Sequence, residues 1–469
     1  ATHSQLVTVF PAADKPSQSV DEAEPNDNAA QASVVEIPAT IKGVINPGFD
    51  NSAAASAVDV DMFRFSAAAG EAWVFEVNAA RNKSLLDSKI EILDAEGNRI
   101  ERVRLQAVRD SYIQFRGINT DTRDCRLHNW EEMDVNQLLY LNGEVVQLWL
   151  WPRGPDSGFQ FYPQTGNRTT LFDTTAHSHA LQEPCYIVEP HPPGTELIPN
   201  GLPIFPIYYE NDDDALRQLG KDSRLTFTAP AKGDYFVRVS DVRGASGADF
   251  TYELTARPAK PDFNIRLQDE KPSVQAGSGK EFKLMADRLD GFEGEIQIAV
   301  ENVPVGFEIS QPLVIEAGQF FAYATINAAP DAKEPTPEDV KKIKFTAKAM
   351  VNGNEVAKDV GSFAELKLAA APKVLVAIGP DKVDAGDVEV PAFGKPNPLE
   401  LTIAPGETIT ARVHIERNKY DGRVGFEAIA HNLPHGIIVD NVGLSGLLIV
   451  EGKTQRQFFL TAADWVPEQ

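Results

Sequence analysis

Apolar and polar side chains alternate with a period of two along most of this chain. In "VDVDMFRFSA" (58–67), Phe63 and Phe65 are separated by Arg64 and followed by Ser66, the pattern of a strand with one buried face. "GEAWVFEVNA" (70–79) repeats it after a glycine. "SKIEILDAEGNRI" (88–100) predicts strand, turn at Glu96-Gly97-Asn98, strand. Further on, "DSRLTFTAPAKGDYFVRVSDVRGASGADFTYELTAR" (222–257) predicts three more strands, joined by the turns "AKGD" and "GASG". Short alternating strands separated by turn residues are the signature of a β-sandwich.

Between these halves, residues 101–206 have a different character, and the pattern predicts an inserted subdomain. "LHNWEEMDVNQLLYLNGEVVQLWLWPRGPDSGFQFYPQTGNR" (127–168) predicts a short helical turn followed by a hairpin with aromatic sides. "EPCYIVEPHPPGTELIPNGLPIFPIYY" (183–209), broken by prolines, predicts an ordered loop. The segment holds Trp130, Trp149 and Trp151. Trp149, Trp151, Phe159, Phe161 and Tyr162 alternate along the hairpin. They form either a platform for sugar rings or a partner protein, or the core of the subdomain itself.

From Pro258 onward the pattern repeats. "GKEFKLMADRLDGFEGEIQIAVENVPVGFEIS", starting at Gly279, matches "GETITARVHIERNKYDGRVGFEAIAHNLPHGIIVD", starting at Gly406, in strand spacing and in an Asn-x-Pro-x-Gly turn. That turn is Asn302–Gly306 in the first copy and Asn432–Gly436 in the second. Two immunoglobulin-like sandwiches, 258–371 and 372–469, are the simplest expectation. The first copy ends in a closing hairpin, "KKIKFTAKAMVNGNEVAKDVGSFAELKL". The second reaches Gln469 before an equivalent, and the expectation is that residues beyond Gln469 supply it. Residues 1–19 read as the tail of a preceding segment and a linker. The predicted fold class is therefore all-β: tandem β-sandwiches, the first (20–257) interrupted by the insertion.

Composition narrows the function classes. At 469 residues the chain exceeds one core and divides into three or four domains. A formal charge of -24 argues against nucleic acid as a partner, because phosphates repel such a surface. No run of about 18 apolar residues is present to span a membrane. No G-x-S-x-G elbow, H-E-x-x-H helix, Walker loop or dinucleotide fingerprint appears, and no pair of carboxylates is placed across a cleft, so catalysis is not expected.

Candidate chemistry concentrates in "EAEPNDN" (22–28). Alternate residues of an extended segment put Glu22 and Glu24 on one side, and Pro25 lets Asn26 and Asp27 turn back. So much oxygen in one loop is either a solvated acidic turn or the site of a hard divalent cation, which would remove the mutual repulsion. A second cluster, "YYENDDDALRQLGKD", holds Asp212, Asp213, Asp214 and Asp222. It reads as an acidic hairpin loop, with a second calcium as the alternative. His177, His179, Cys185 and His191 have the elements of a transition-metal site but match no closed zinc spacing. In an exported protein, Cys125 and Cys185 would close one disulfide across the insertion.

The series "EAEPNDNAAQA", "IKGVI", "DVDMFRFSAAAGE", "NKSLLDSKIEILDAEGN", resuming at "ENDDDALRQLGKDSRLTFTAPAKGDYFVRVSD" and ending with "GADFTYELTAR", resembles the bacterial pre-peptidase C-terminal domain. It is similar, more distantly, to the collagen-binding domain of clostridial collagenases. The resemblance implies a non-catalytic sandwich of a secreted protein, with calcium pinning the entry linker to the sheet. Its ligands would be Glu22, Glu24, Asn26 and Asp27 together with Asp61 and Asp59, the last less securely placed because the loop before it is longer than in those relatives. The expected protein is a secreted, periplasmic or cell-surface binding or scaffolding module. Its partner would be a protein or polysaccharide outside the cell, and it would belong to a larger assembly. The alternative is an accessory portion of a secreted peptidase or other hydrolase whose catalytic domain lies elsewhere.

Overall fold

A computed structural model describes residues 17–46, 59–116, 118–129, 132–152, 157–164, 167–381, 383–384, 387–388, 391–392, 400–426, 430–440 and 446–467. Most of the expected N-terminal tail, the loop 47–58 and Trp130 lie outside these residues. The described chain is almost entirely β, and it divides into two compact units between Lys260 and Pro261.

The first unit contains a sandwich of two five-stranded sheets. One runs in the order Gln18–Asp21, Ala39–Val44, Thr251–Pro258, Ala72–Asn78, Arg224–Thr228. The other runs Glu210–Asn211, Ser88–Leu93, Gly233–Asp241, Asp61–Ala67, Ser33–Val34. The alternation seen in the sequence becomes the core: Phe63, Phe65, Phe75, Val77, Ile90, Ile92, Leu225, Phe227, Val237 and Leu254 point between the sheets. Tilted and edge-on contacts link Phe65 to Phe75, Phe227 and Tyr235. The entry strand Gln18–Asp21 pairs in parallel with Ala39–Val44, and the exit strand Thr251–Pro258 flanks that same strand in antiparallel register.

The insertion contains hairpin pairing within 127–168 as expected, Leu138–Leu141 with Glu144–Leu150 and the latter with Phe159–Phe161, and differs from the expectation elsewhere. Its sheet runs Pro184–His191, Leu138–Leu141, Glu144–Leu150, Phe159–Phe161, Asp124–Leu127, Glu101–Phe115, Ile204–Tyr208. A further pairing of Pro184–His191 with Glu101–Phe115 closes six of these strands into a ring. The stretch expected to be a proline-broken loop therefore supplies two strands. Pro206 is tolerated because Ile204–Tyr208 is an edge strand, where a missing N–H costs no ladder bond. Phe159, Phe161, Leu139, Leu141, Val146 and Leu148 fill the interior with both cysteines.

The second unit holds two sandwiches built on the sequence repeat. In the first, the sheet Asp262–Gln268, Ser278–Leu289, Phe321–Ala328, Phe307–Ile309 faces the sheet Leu313–Ile315, Ile296–Glu301, Lys344–Val351, Asn354–Gly361. Phe282, Phe345 and Phe363 meet edge-on between them. The short helix Pro337–Lys342, capped by Thr336 at Asp339 N–H, joins two strands. In the second sandwich, the sheet Val374–Pro380, Thr408–Arg417, Gln455–Ala462, Ile437–Asp440 is accompanied by the pair Val424–Phe426 and Leu447–Ile449.

Candidate metal centre

The entry strand delivers Glu22 to the end of its own ladder, where its N–H bonds Lys42 C=O at 2.9 Å. Its carboxylate turns inward: Oε1 accepts from Val44 N–H at 2.8 Å and Oε2 faces the Tyr252 hydroxyl at 3.4 Å. Gly43 makes room for this. A Cβ there would lie 2.3 Å from Glu22 Oε2 and 2.4 Å from the Tyr252 ring, so no side chain fits. Two residues on, Glu24 Oε2 accepts from Asn26 N–H at 2.9 Å, and Asn26 C=O accepts from Met62 N–H at 3.1 Å. That second bond fastens the linker to the strand Asp61–Ala67, whose first residue carries the central carboxylate.

One carboxylate oxygen each from Glu22, Glu24 and Asp61 lies within 4.8 Å of the others. Asp61 is fully buried, Asn26 likewise, and Asp59 is only 5% exposed. Burial is the main cause that pushes the Asp61 carboxyl up to about 9, with the Glu22 charge second. Asp59 is pushed up to about 7 by burial, then by the charges of Glu24 and Asp27. Burial also raises Glu22. Tyr252 donates its hydroxyl to Asp61 Oδ2, while Asp61 Oδ1, Asp59 Oδ2 and both carboxamide atoms of Asn26 are buried without a hydrogen-bond partner in the chain. Buried polar atoms are almost always paired, so several orphans in one corner, most of them oxygen, call for a partner from outside the chain, an ordered water or an ion. Carboxylates and a carboxamide oxygen suit a hard cation such as calcium, and the set offers no imidazole or thiolate for a softer metal. The residues fit the ion that the resemblance implies.

The other expected sites fare differently. Asp222 Oδ1 accepts from the N–H groups of Ala79 and Ala80, and Oδ2 accepts from Arg81 N–H and Nε, so both oxygens are fully engaged in fixing the turn Ala80–Asn82. Asp214 accepts from Leu216 and Gln218 N–H, and Asp212 from the Thr175 hydroxyl. Asp213 is pushed up to about 6 by burial and then by Asp212 and Asp87. These acids are taken up largely by the fold.

Of the two readings of the aromatic residues, Phe159 and Phe161 follow the core one. Phe159 and Phe161 are fully buried in the barrel, Trp151 packs on that core with Nε1 donating to Met133 C=O, and the Tyr162 hydroxyl donates to Asn136 Oδ1. Trp149 is half-buried on the strand Glu144–Leu150. The disulfide expected of Cys125 and Cys185 is corrected: both are free, buried thiols. They serve as small apolar residues, Cys125 opposite Phe159 and Cys185 opposite Ser111 on different strand pairs. The histidines do not converge on a metal. His179 lies between Glu144 and Glu183, His177 is exposed, and His191 ends its strand.

Sequence reasoning missed two features. Tyr252 stands far along the chain from the linker it supports, and only the strand pairing of Gly43 with Tyr252 brings it there. In the insertion, the fully buried Arg168 binds Glu144 by two nitrogens and the carbonyls of Asn119, Thr122 and His177. It ties three segments together by charge-assisted bonds where a disulfide was expected. No local pattern marks either residue.

No family model and no curated protein matches the chain. Among solved structures, surface layer protein SbsC, domains 4-9, is similar at 13% identity and a TM-score of 0.19, covering 52% of this chain and 32% of that one. The D00-D0 domain of intimin is similar at 14% identity and a TM-score of 0.14, covering 43% of this chain and 87% of that one. The chain thus spans about a third of the length of the surface layer structure. At these scores neither likeness bears on function. The fold itself is a set of tandem β-sandwiches, and among the described residues no helix is long and apolar enough to cross a membrane.

Proposed function

We propose that this chain is a non-catalytic, extracytoplasmic calcium-binding module that scaffolds or binds a protein or polysaccharide partner, with calcium fastening its entry segment to the first sandwich. The observation that carries the reading is the meeting of Glu22, Glu24 and Asp61 beside the unpartnered polar atoms of Asn26, Asp59 and Asp61. When bound, the ion would supply a positive charge that offsets the repulsion among these acids. Glu22, Glu24, Asn26, Asp59 and Asp61 would hold it, with Asp27 beside them. Glu22 and Asn26 belong to the linker and Asp59 and Asp61 to the following sheet edge, so holding one ion in common fixes the linker's direction. Isothermal titration of the chelator-stripped chain tests this. A single site filled by calcium and lost in Glu24→Gln and Asp61→Asn is expected, with folding checked by circular dichroism. Absence of heat at millimolar calcium from a folded chain overturns it.

A further inference from the structure

The insertion holds a buried charge cluster beside the starts of the strands Glu144–Leu150 and Pro184–His191. Arg168 and Glu144 are fully buried, and the His179 side chain is 1% exposed. Arg168 Nε donates to Glu144 Oε1 at 2.5 Å and Nη2 donates to Glu144 Oε2 at 3.0 Å. Glu144 Oε2 also accepts from His177 N–H at 2.8 Å and lies 2.9 Å from His179 Nε2. The other ring nitrogen, Nδ1, lies 3.1 Å from Glu183 Oε1, while Glu183 Oε2 accepts from Ala180 N–H at 2.8 Å. His179 N–H donates to Ile118 C=O at 2.8 Å.

A neutral imidazole has one N–H and one lone pair. With carboxylate oxygens at hydrogen-bond distance from both nitrogens, a neutral ring would set its lone pair against one of them, whereas the imidazolium donates to both. The charge balance agrees. Glu144, from Glu144–Leu150, and Glu183, from the ring's own segment, face the ring, and Arg168 is bound to Glu144, so a protonated ring supplies the second positive charge for two carboxylates. The thiol of Cys125, on Asp124–Leu127, feels Arg168 and Glu144 and is kept neutral by burial. Burial alone would lower the imidazole, but the bonds to Glu144 and then Glu183 outweigh it and hold His179 above its ordinary value of 6.5.

We propose that His179 is a proton-operated latch on the insertion: its imidazolium, held between Glu144 and Glu183, fastens residues 176–183 and with them the start of the ring-closing strand Pro184–His191. The connection is direct. Gln182 N–H donates to Ile113 C=O and Ile113 N–H to Glu183 C=O, and the next residue, Pro184, already pairs with Tyr112 in the ladder that closes the ring. Loss of the ring proton removes one of the two donors and leaves a lone pair against a carboxylate, so this segment loosens first. A histidine raised above its unfolded value of about 6.5 adds stability that is complete below that value and is lost as pH rises through the folded one. The latch is therefore shut in acid and opens toward alkaline pH.

Nuclear magnetic resonance of the intact chain, labelled with 13C and 15N in histidine, follows the proton on each ring, with the His179 ring tied to its own backbone amide. That ring is expected to titrate above 6.5 and to carry both N–H protons below its midpoint. Amide hydrogen exchange at residues 179–187, corrected for its intrinsic pH dependence, is expected to speed at least tenfold across the same midpoint. Glu183→Gln changes a partly exposed residue and leaves the Arg168–Glu144 pair in place. It is expected to lower the midpoint and to carry the exchange transition with it. Three results overturn the proposal: a ring that titrates at or below 6.5, exchange that does not change across the midpoint, or a midpoint that Glu183→Gln does not move. All are read within the insertion, so they stand apart from whether calcium binds at Glu22 and Asp61.

Discussion

Tyr252 donates its hydroxyl to Asp61, 191 positions earlier in the chain, at the corner where the entry linker meets the sandwich. The bond is buried on both sides, and Tyr252 also faces Glu22. Burial together with those two carboxyls holds the phenol well above its ordinary range, so it stays a donor throughout the working pH range.

Tyr252→Phe therefore leaves Asp61 with a second unpartnered oxygen. Without calcium, the first unit is expected to lose about 1–3 kcal/mol, measured by urea unfolding. With saturating calcium the loss should shrink, because the cation then stabilises the same oxygen. An equal loss in both conditions would separate Tyr252 from the site.

The pH dependence follows from the raised carboxyls. In the calcium-free chain, Asp61 at about 9 and Asp59 at about 7 stand above their unfolded values near 4, so the folded state binds more protons. Their contribution is complete below pH 4 and declines as pH rises through 7 and 9. Calcium bound at this site would displace those protons. Unfolding with chelator is expected to ease between pH 5 and 9 in the native chain and to be flatter in Asp61→Asn. Calcium binding near neutral pH should release protons, measurable as a dependence of the binding heat on the buffer.

Asp222→Asn provides the contrast. It removes charge from a carboxylate that accepts three backbone N–H groups and the Arg81 guanidinium, and roughly 2–4 kcal/mol should be lost. Thermal melts should show a lower midpoint and an unchanged calcium-induced rise. Loss of that rise in a folded Asp222→Asn chain would give the second cluster a part in ion binding.

Thiol titration checks the cysteines. Burial pushes Cys185 up to about 12 and holds Cys125 well above the ordinary thiol range, so neither should react with a thiol reagent in the folded chain. Two thiols should react in denaturant without any reductant. Finding none there would restore the disulfide.

The sandwich was legible because its strands alternate over five or more residues, and side chains such as Phe63 and Phe65 then settle which face is inside. The linker cluster was legible because Glu22, Glu24, Asn26 and Asp27 fall together in one short segment. The insertion was not. Phe159 and Phe161 alternate in the same way whether they line a surface or fill a closed ring, and only the pairing of Pro184–His191 with Glu101–Phe115 closes that ring. Prolines at positions 190 and 206 hid two strands whose partners are remote in sequence. Arg168 and Glu144 were invisible for a related reason: a buried ion pair leaves no periodic trace.

The entry strand and the exit strand flank one common neighbour, and Gln18, Ala39 and Ala256 lie level across the sheet. A pull applied between the two ends of the first unit would thus open the entry strand from Gln18 inward, one ladder bond after another. Glu22 lies at the far end of that path, so a cation there would act as a mechanical stop, and the tension needed to extend the unit would depend on how much calcium surrounds it.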